Sequence, residues 1–439
     1  SLLAHPVRSA VLAGGFGLGV SVMANLLGIG EVMLEQARSP ALAGGGDLVV
    51  AGDLGELPGG RYLMSAVLGQ PPLDEQTAVV APVRRDLLFL VPEDGEEPYG
   101  VVARGVIPSR ERALDDAEVA HLPGWVDTDG DRAWLEPDLD VLLGAMDRFH
   151  PLPDAPEWND GWSEWLYFNG RSGDTDFYLT FLVGPPTEPG LRAAGVRLQL
   201  STGGESRAFS DTVAVDADEV LRMAPNLSIG ANHVRLDGGS YRISLDLPAA
   251  DAVLGESTAE ASRVRAEIAL AGSLGRSLPP FSISGARGWM SGYTVPIMSG
   301  ALSGWIEPGT QRLSLDGGTG YHDHNWGHWT GVSWRWGQVR GDELSFVYGR
   351  VLPPREAADP DRMPGFLMVS DASVPVGYAT RLSISEEDDP VTGEPRRIVV
   401  ETGTYRLRVR MEIDIDEAAM TRMDRDGFGS GLGCGPRFG

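Results

Sequence analysis

Residues Tyr241–Leu247 read YRISLDL, with Tyr241, Ile243, Leu245 and Leu247 falling on one side and polar residues between them. A period of two is what an extended strand with one buried face imposes, because successive side chains point to opposite faces of a sheet. The same period recurs in Tyr405, Leu407, Val409, Met411 and Ile413. Further short strands are predicted at Glu164–Asn169, Phe177–Val183, Val196–Leu200, Arg263–Leu270 and Tyr293–Met298, then at Ser333–Arg340, Leu344–Val351 and Phe366–Ser370. Turn-forming clusters separate them, which is the pattern of antiparallel sheet. So many short strands suit closed or nearly closed barrels, which leave few edges exposed.

A chain of 439 residues, 42% of them apolar and 58 of them glycine, can bury a large interior and is expected to form two or three domains. Its 62 acids outnumber 36 bases, every one of which is arginine, for a net charge of −26. A phosphate backbone would be repelled, so nucleic acid is excluded as a partner. Cys434 is the single cysteine and sits in a Gly-rich tail, which rules out an intrachain disulfide and gives no sign of thiol chemistry.

From Ser9 to Gly30 the sequence carries no charge, and 22 such residues can cross a hydrocarbon core. With Arg8 before the span and Glu31 and Glu35 after it, the expectation is a membrane anchor over residues 1–36 with the remainder on the extracytoplasmic side, in the periplasm or outside the cell. A buried Gly-rich helix and an uncleaved signal sequence are the competing readings. Residues 37–150 read as a small α+β region, with a helical pattern near Leu139–Phe149. Asp127, Asp129 and Asp131 break the calcium-loop pattern, because Gly130 precedes the third acid, and read as an Asp/Gly turn. The Pro-rich stretch Pro151–Trp158 marks a domain boundary near 150.

Chemistry concentrates in Tyr321–Trp336, YHDHNWGHWTGVSWRW, which holds three of seven histidines and four of eleven tryptophans. In an extended strand His322, His324 and Trp326 face one way while Tyr321, Asp323 and Asn325 face the other. Three readings compete: a polar network knitting barrels together, a metal site on His322 and His324 completed by His328 or Asp323, and a ligand-facing functional site.

The elements SEWLYFNG (Ser163–Gly170), GYTVPIMSGALSGWI (Gly292–Ile306) and GYHDHNWG (Gly320–Gly327), in this order, resemble the carotenoid 1,2-hydratase and AttH-like family of lipocalin-type proteins over about residues 155–435. The resemblance implies a mainly β fold of two consecutive lipocalin-like antiparallel barrels, at residues 151–290 and 291–439, with an apolar pocket. It further implies functional positions at His324, Trp326 and Tyr348, with Glu164 near the pocket. Where the hydratase pattern carries an acid two residues beyond the tyrosine, this chain has Arg350. The stretch from Arg8 through Leu114 loosely resembles the start of an FtsX-type ABC permease.

Adding water to an unactivated alkene requires a strong proton donor, a means of holding a cation and a positioned water. Asp323 in an apolar pocket would keep its proton at neutral pH, and His324 is the rival carrier. Trp326, Trp334 and Trp336 can face a cation, and Asn325 or Tyr348 can orient water. Tyr321, His322 and Arg350 complete the expected ligand-binding set. The sequence therefore predicts acid catalysis on a C=C bond of an apolar isoprenoid, without organic cofactor or metal. The alternative is a non-catalytic lipid-binding module associated with an ABC export system.

Overall fold

The computed structural model describes residues 49–50, 60–68, 75, 77, 79–91, 99–116, 119, 121–250, 263–272, 277–340, 344–371, 375–391, 395–403 and 408–414. Two compact units share the chain: residues 1–57 with 76–136, and residues 58–75 with 137–439. Among the described residues no helix is long and apolar enough to cross a membrane. The stretch expected to form the anchor, Ser9–Gly30, lies outside the described residues.

In the first unit, β1 (Val83–Leu90) and β2 (Tyr99–Val106) form an antiparallel hairpin. Arg104 of β2 pairs with buried Glu111 at 2.5 Å and with Asp116 at 2.9 Å, fixing the helix Pro108–Ala113 against the hairpin. The acidic Asp127–Asp131 stretch opens a helix, Asp129–Leu135, where an Asp/Gly turn was expected. The reason is a reciprocal cap: the Thr128 hydroxyl accepts from the Asp131 N–H, and the Asp131 carboxylate accepts from the Thr128 N–H.

In the second unit the strands are β3 (Trp162–Ser172), β4 (Thr175–Glu188), β5 (Leu191–Thr202), β6 (Glu205–Asp216), β7 (Leu227–Ile229), β8 (Asn232–Asp237) and β9 (Ser240–Pro248). They continue with β10 (Arg263–Ala271), β11 (Leu278–Ser284), β12 (Met290–Pro308), β13 (Leu313–Ser314) and β14 (Thr319–His328). These twelve form one antiparallel sheet in the order β6-β5-β4-β3-β14-β12-β10-β9-β8-β7, with β11 and β13 paired to β12. An isolated bridge, Phe209 to Ala249, and the Ala250 N–H to Ala208 carbonyl bond tie β6 to the end of β9. The sheet is thereby nearly closed into a barrel. Its inward residues follow the sequence alternation: Tyr241, Ile243, Leu245 and Leu247 of β9 and Val264, Ala266, Ile268 and Leu270 of β10 are all buried in one core with Phe168, Phe181 and Leu198. Each Val, Ile, Leu or Phe side chain among them contributes about 1.5–3 kcal/mol on leaving water.

Two smaller sheets follow, β15 (Ser333–Arg340), β16 (Leu344–Leu352), β17 (Gly365–Asp371) and β18 (Pro375–Ala379), then β19 (Leu382–Asp388), β20 (Pro395–Gly403) and β21 (Arg408–Asp414). Alternation on β16 and β17 divides their side chains between two clusters. Val347, Phe366 and Met368 pack with Tyr293, Val295, Met298 and Tyr321 of the large sheet, while Tyr348 and Leu367 pack with Ile398 and Val400 of the last sheet. The four-stranded sheet is thus a middle layer. Strands β12 and β14, read from sequence as part of the barrel beginning at residue 291, are hydrogen-bonded into the first sheet through β10 and β3. One face of the large sheet therefore serves the barrel, and the other packs against the four-stranded sheet β15–β18 to form a second lobe.

Two glycines make close approaches possible. Gly304, at φ +102°, would place a Cβ 2.0 Å from the carbonyl oxygen of Glu267 on the neighbouring strand, and at Gly292 a Cβ would lie 2.0 Å from the Trp326 indole. Gly304→Ala combines a disfavoured backbone region with a backbone clash and should cost about 2 kcal/mol or more. Thermal unfolding followed by circular dichroism should show a midpoint several degrees lower; an unchanged midpoint would contradict this register.

Candidate functional site

Strand β14 is buried on both faces. On the barrel face, His322 and His324 meet carboxylates from elsewhere in the chain. Asp147 follows the helix Leu139–Met146, and its Oδ2 lies 2.7 Å from His322 Nε2 and accepts the Tyr241 hydroxyl. The other nitrogen of His322 is 2.9 Å from the Tyr167 carbonyl, and its ring stacks on Phe168 with centroids 4.1 Å apart. Glu164 of β3 places Oε1 2.9 Å from His324 Nε2 and 2.7 Å from His150 Nδ1, and its Oε2 accepts the His150 backbone N–H at 3.0 Å. His324 Nδ1 and Asp147 Oδ1 face each other at 3.5 Å without making an aligned hydrogen bond, so their attraction is coulombic. Trp326 stacks on His150, centroids 4.3 Å apart.

The electrostatics follow from that geometry. Burial works against charge on His324, but Asp147 and Glu164 on either side raise it to about 9, so it is a cation at neutral pH. Burial likewise pushes Asp147 and Glu164 up, yet His322 and His324 hold Asp147 below the usual carboxylate range, and His150 and His324 hold Glu164 low. The result is a paired ionic lattice inside an apolar shell.

The opposite face differs. Tyr321 OH, Tyr293 OH and Asp323 Oδ2 are mutually within hydrogen-bond distance, at 2.6 Å between the hydroxyls and 2.9 and 3.1 Å from Tyr321 and Tyr293 to the carboxyl. Three contacts need three protons and two phenols supply two. A protonated Asp323 supplies the third and closes the ring. Asn325 donates to Asp323 Oδ1 at 2.8 Å, and Trp336 donates its indole N–H to Tyr293 OH at 2.9 Å. Burial raises the Asp323 carboxyl to about 7 against the pull of Tyr321 and His322. Burial holds Tyr293 and Tyr321 well above the ordinary phenol value, and an ionised Asp323 would raise them further, so both remain neutral donors. Phe366 stacks on Tyr293 and Phe281 packs against both, giving the acid an aromatic surround. Tyr167, Phe281 and Trp336, only partly buried, form its outer edge.

Of the residues read from sequence, Asp323, Tyr321, Asn325 and Trp336 are brought together on the second-lobe face, and His322, His324, Trp326 and Glu164 on the barrel face. Tyr348 lies in the separate cluster beneath the last sheet, and Trp334 is 39% exposed beside Trp329. Arg350 donates to the carbonyls of Pro360 and Asp361 and lines a surface cleft of about 660 Å³. A second cleft of about 430 Å³ lies among Asp140, Arg148 and Arg222; neither cleft includes Asp323. Asp147, His150, Tyr241 and Tyr293 were not read from sequence as site residues. Only the DRFH run closing a helical pattern, Asp147–His150, offered a signal for the first two.

His150, Glu164 and His324 offer ligand atoms within 4.8 Å of one another, the spacing of a metal site. Both imidazoles are already directed at one Glu164 oxygen, however, and His324 lies against Asp147 on its other side. Glu164 thus pairs both imidazoles, while His324 Nδ1 and Asp147 Oδ1 attract each other without a hydrogen bond.

No protein-family model matches the chain, and no curated protein matches it. Among solved structures it is similar to a protein of Nitrosomonas europaea assigned provisionally to AttH, at 17% identity and TM-score 0.39 over 60% of this chain and 83% of that one. It is also similar to CghA solved with Sch210972, at 11% identity and TM-score 0.38 over 64% of this chain and 86% of that one. No residue role rests on these likenesses.

The lattice has a pH signature. Because the folded-state value of His324 lies above its unfolded value of about 6.5, its contribution is complete below pH 6.5 and disappears as pH rises through about 9. Melting temperatures across pH 6 to 10 should fall along that limb, and His324→Gln should flatten it. Asp147→Ala, which strands His322, His324 and Tyr241, should cost roughly 3–5 kcal/mol in urea unfolding at neutral pH. A loss under about 1 kcal/mol would show that the lattice is not paired as described.

Proposed function

We propose that the second lobe binds an apolar, isoprenoid-like molecule and that Asp323 delivers a proton to one of its C=C bonds, as in a hydratase-type lyase. The observation that carries this reading is the closed ring of Tyr293, Tyr321 and Asp323, in which the proton count calls for a protonated carboxyl inside an aromatic surround.

The step balances on these residues. The Asp323 proton forms a C–H bond with one alkene carbon and leaves a tertiary cation at the other. The faces of Trp336, Tyr293 and Phe366 can hold that cation, at about 0.5–2 kcal/mol each depending on desolvation. Once the proton leaves, the phenol that accepted its hydrogen bond rotates only its hydroxyl hydrogen to donate to Oδ2, the other phenol already donates there and Asn325 donates to Oδ1, so the carboxylate that develops meets three donors whose heavy atoms stay in place. Water then adds to the cation and returns a proton to Asp323. The product is an alcohol, and the acid is regenerated.

Incubation with linear carotenoids, followed by mass spectrometry, should yield a product heavier by one water. Asp323→Asn should lower the rate by about 100-fold or more. Since protonated Asp323 is the active form and is lost as pH rises through about 7, the wild-type rate should fall about tenfold per unit above that value. Unaltered turnover in folded Asp323→Asn would overturn the assignment. Binding without conversion would leave a lipid carrier.

A further inference from the structure

A polar strip runs outward from the aromatic surround. Trp336, Gln338 and Arg340 alternate onto one face of β15, and Tyr167 and Asn169 onto the facing side of β3. The strip is joined by hydrogen bonds: Asn169 Nδ2 donates to Tyr167 OH at 3.2 Å and to Gln338 Oε1 at 3.3 Å, and Arg340 Nη1 donates to the Asn169 carbonyl at 3.1 Å. Two of its groups are incompletely satisfied. Asn169 is 4% exposed, both its amide hydrogens are engaged, and its Oδ1 has no partner. Arg340 is half-buried, donates to the Asn169 carbonyl and forms no ion pair with a carboxylate among the described residues. Asp176, the acid that influences it most, is taken on both oxygens by Arg171, at 2.7 and 3.2 Å. A partly desolvated guanidinium without a counter-ion is costly, and its planar fork matches an oxyanion.

We propose that the ligand of this lobe is an amphiphile whose carboxylate-type head group is bound by Arg340, with an O–H donor beside it available to Asn169 Oδ1, while its apolar skeleton lies along Trp336 toward Asp323. Asp323 stands opposite Tyr167 in the β14–β3 register, and Asn169 lies two residues farther along β3. Two residues of strand span about 7 Å, which is the separation from head group to reacting carbon that the strip sets. This inference rests on the reading of the lobe as a binding site for an apolar molecule, and it narrows the substrate class from a hydrocarbon to an acid.

Retinoic acid and retinol share a skeleton and differ in the head group, so they separate the two claims. Titration of each into the full chain, followed by quenching of tryptophan fluorescence, should show retinoic acid binding about tenfold tighter or more. Arg340→Gln should erase the preference while leaving retinol affinity unchanged, and Arg340→Lys, which keeps the charge but not the fork, should retain part of it. Equal affinity of the wild type for both, or a preference that survives Arg340→Gln, overturns the head-group assignment and leaves the apolar-site reading standing. Failure of the wild type to bind either ligand overturns both.

Discussion

Strand β14 is buried on both sides and carries ionisable groups on both, and much of the second unit is arranged around satisfying them. Isolated charges at such depth would cost more than the whole stability of a typical domain, so each must be paired or neutralised. On the barrel face the solution is pairing. Asp147 and His150, from the segment after the helix Leu139–Met146, and Glu164, from the adjacent strand, surround His322 and His324. The bare backbone at Gly292 lets Trp326 lie flat across the strand pair and cover that lattice. On the other face Asp323 has no cation in contact among the described residues: burial raises its carboxyl to about 7, and two phenols lie within hydrogen-bond distance of it.

The two faces consequently differ in what they can do. The lattice is made of fixed opposite charges whose removal would strand several partners at once, and it holds β14 in one position. That rigidity is what an acid on the reverse face needs, since donors contribute most to a developing charge when they do not have to move. Tyr293 on β12, Tyr321 on β14 and Trp336 on β15 come from three strands, and the hydrophobic packing of Val347, Phe366 and Met368 against the large sheet keeps them in register. Farther along β15, Gln338 and Arg340 meet Asn169 of β3.

Much of this was legible in the sequence, for physical reasons. Period two in β9, β10 and β16 follows from burial of one face, or of two different clusters on two faces, and it located these strands to within a residue or two. The segregation of His322 and His324 from Tyr321 and Asp323 needed only the pleat of an extended strand. The partners were less accessible. Asp147 lies 175 residues from His322, and nothing local in DRFH states which strand it will meet. The assignment of β12 and β14 to the first sheet was also hidden, because a strand buried on both faces does not announce which sheet it joins. Tyr348 illustrates a third limit: it is one residue from Val347, but alternation sends it into a different cluster from Asp323.

The protonation state of Asp323 is the most direct test of this picture. Infrared difference spectra of wild type against Asp323→Asn, recorded as pH is raised from 5 to 9, isolate that one carboxyl. A protonated carboxylic acid band that gives way to a carboxylate band near pH 7 is the predicted result. A carboxylate band already complete at pH 5 would mean that the two phenols stabilise an anion, and the strand would then carry a paired structural charge on each face and no acid.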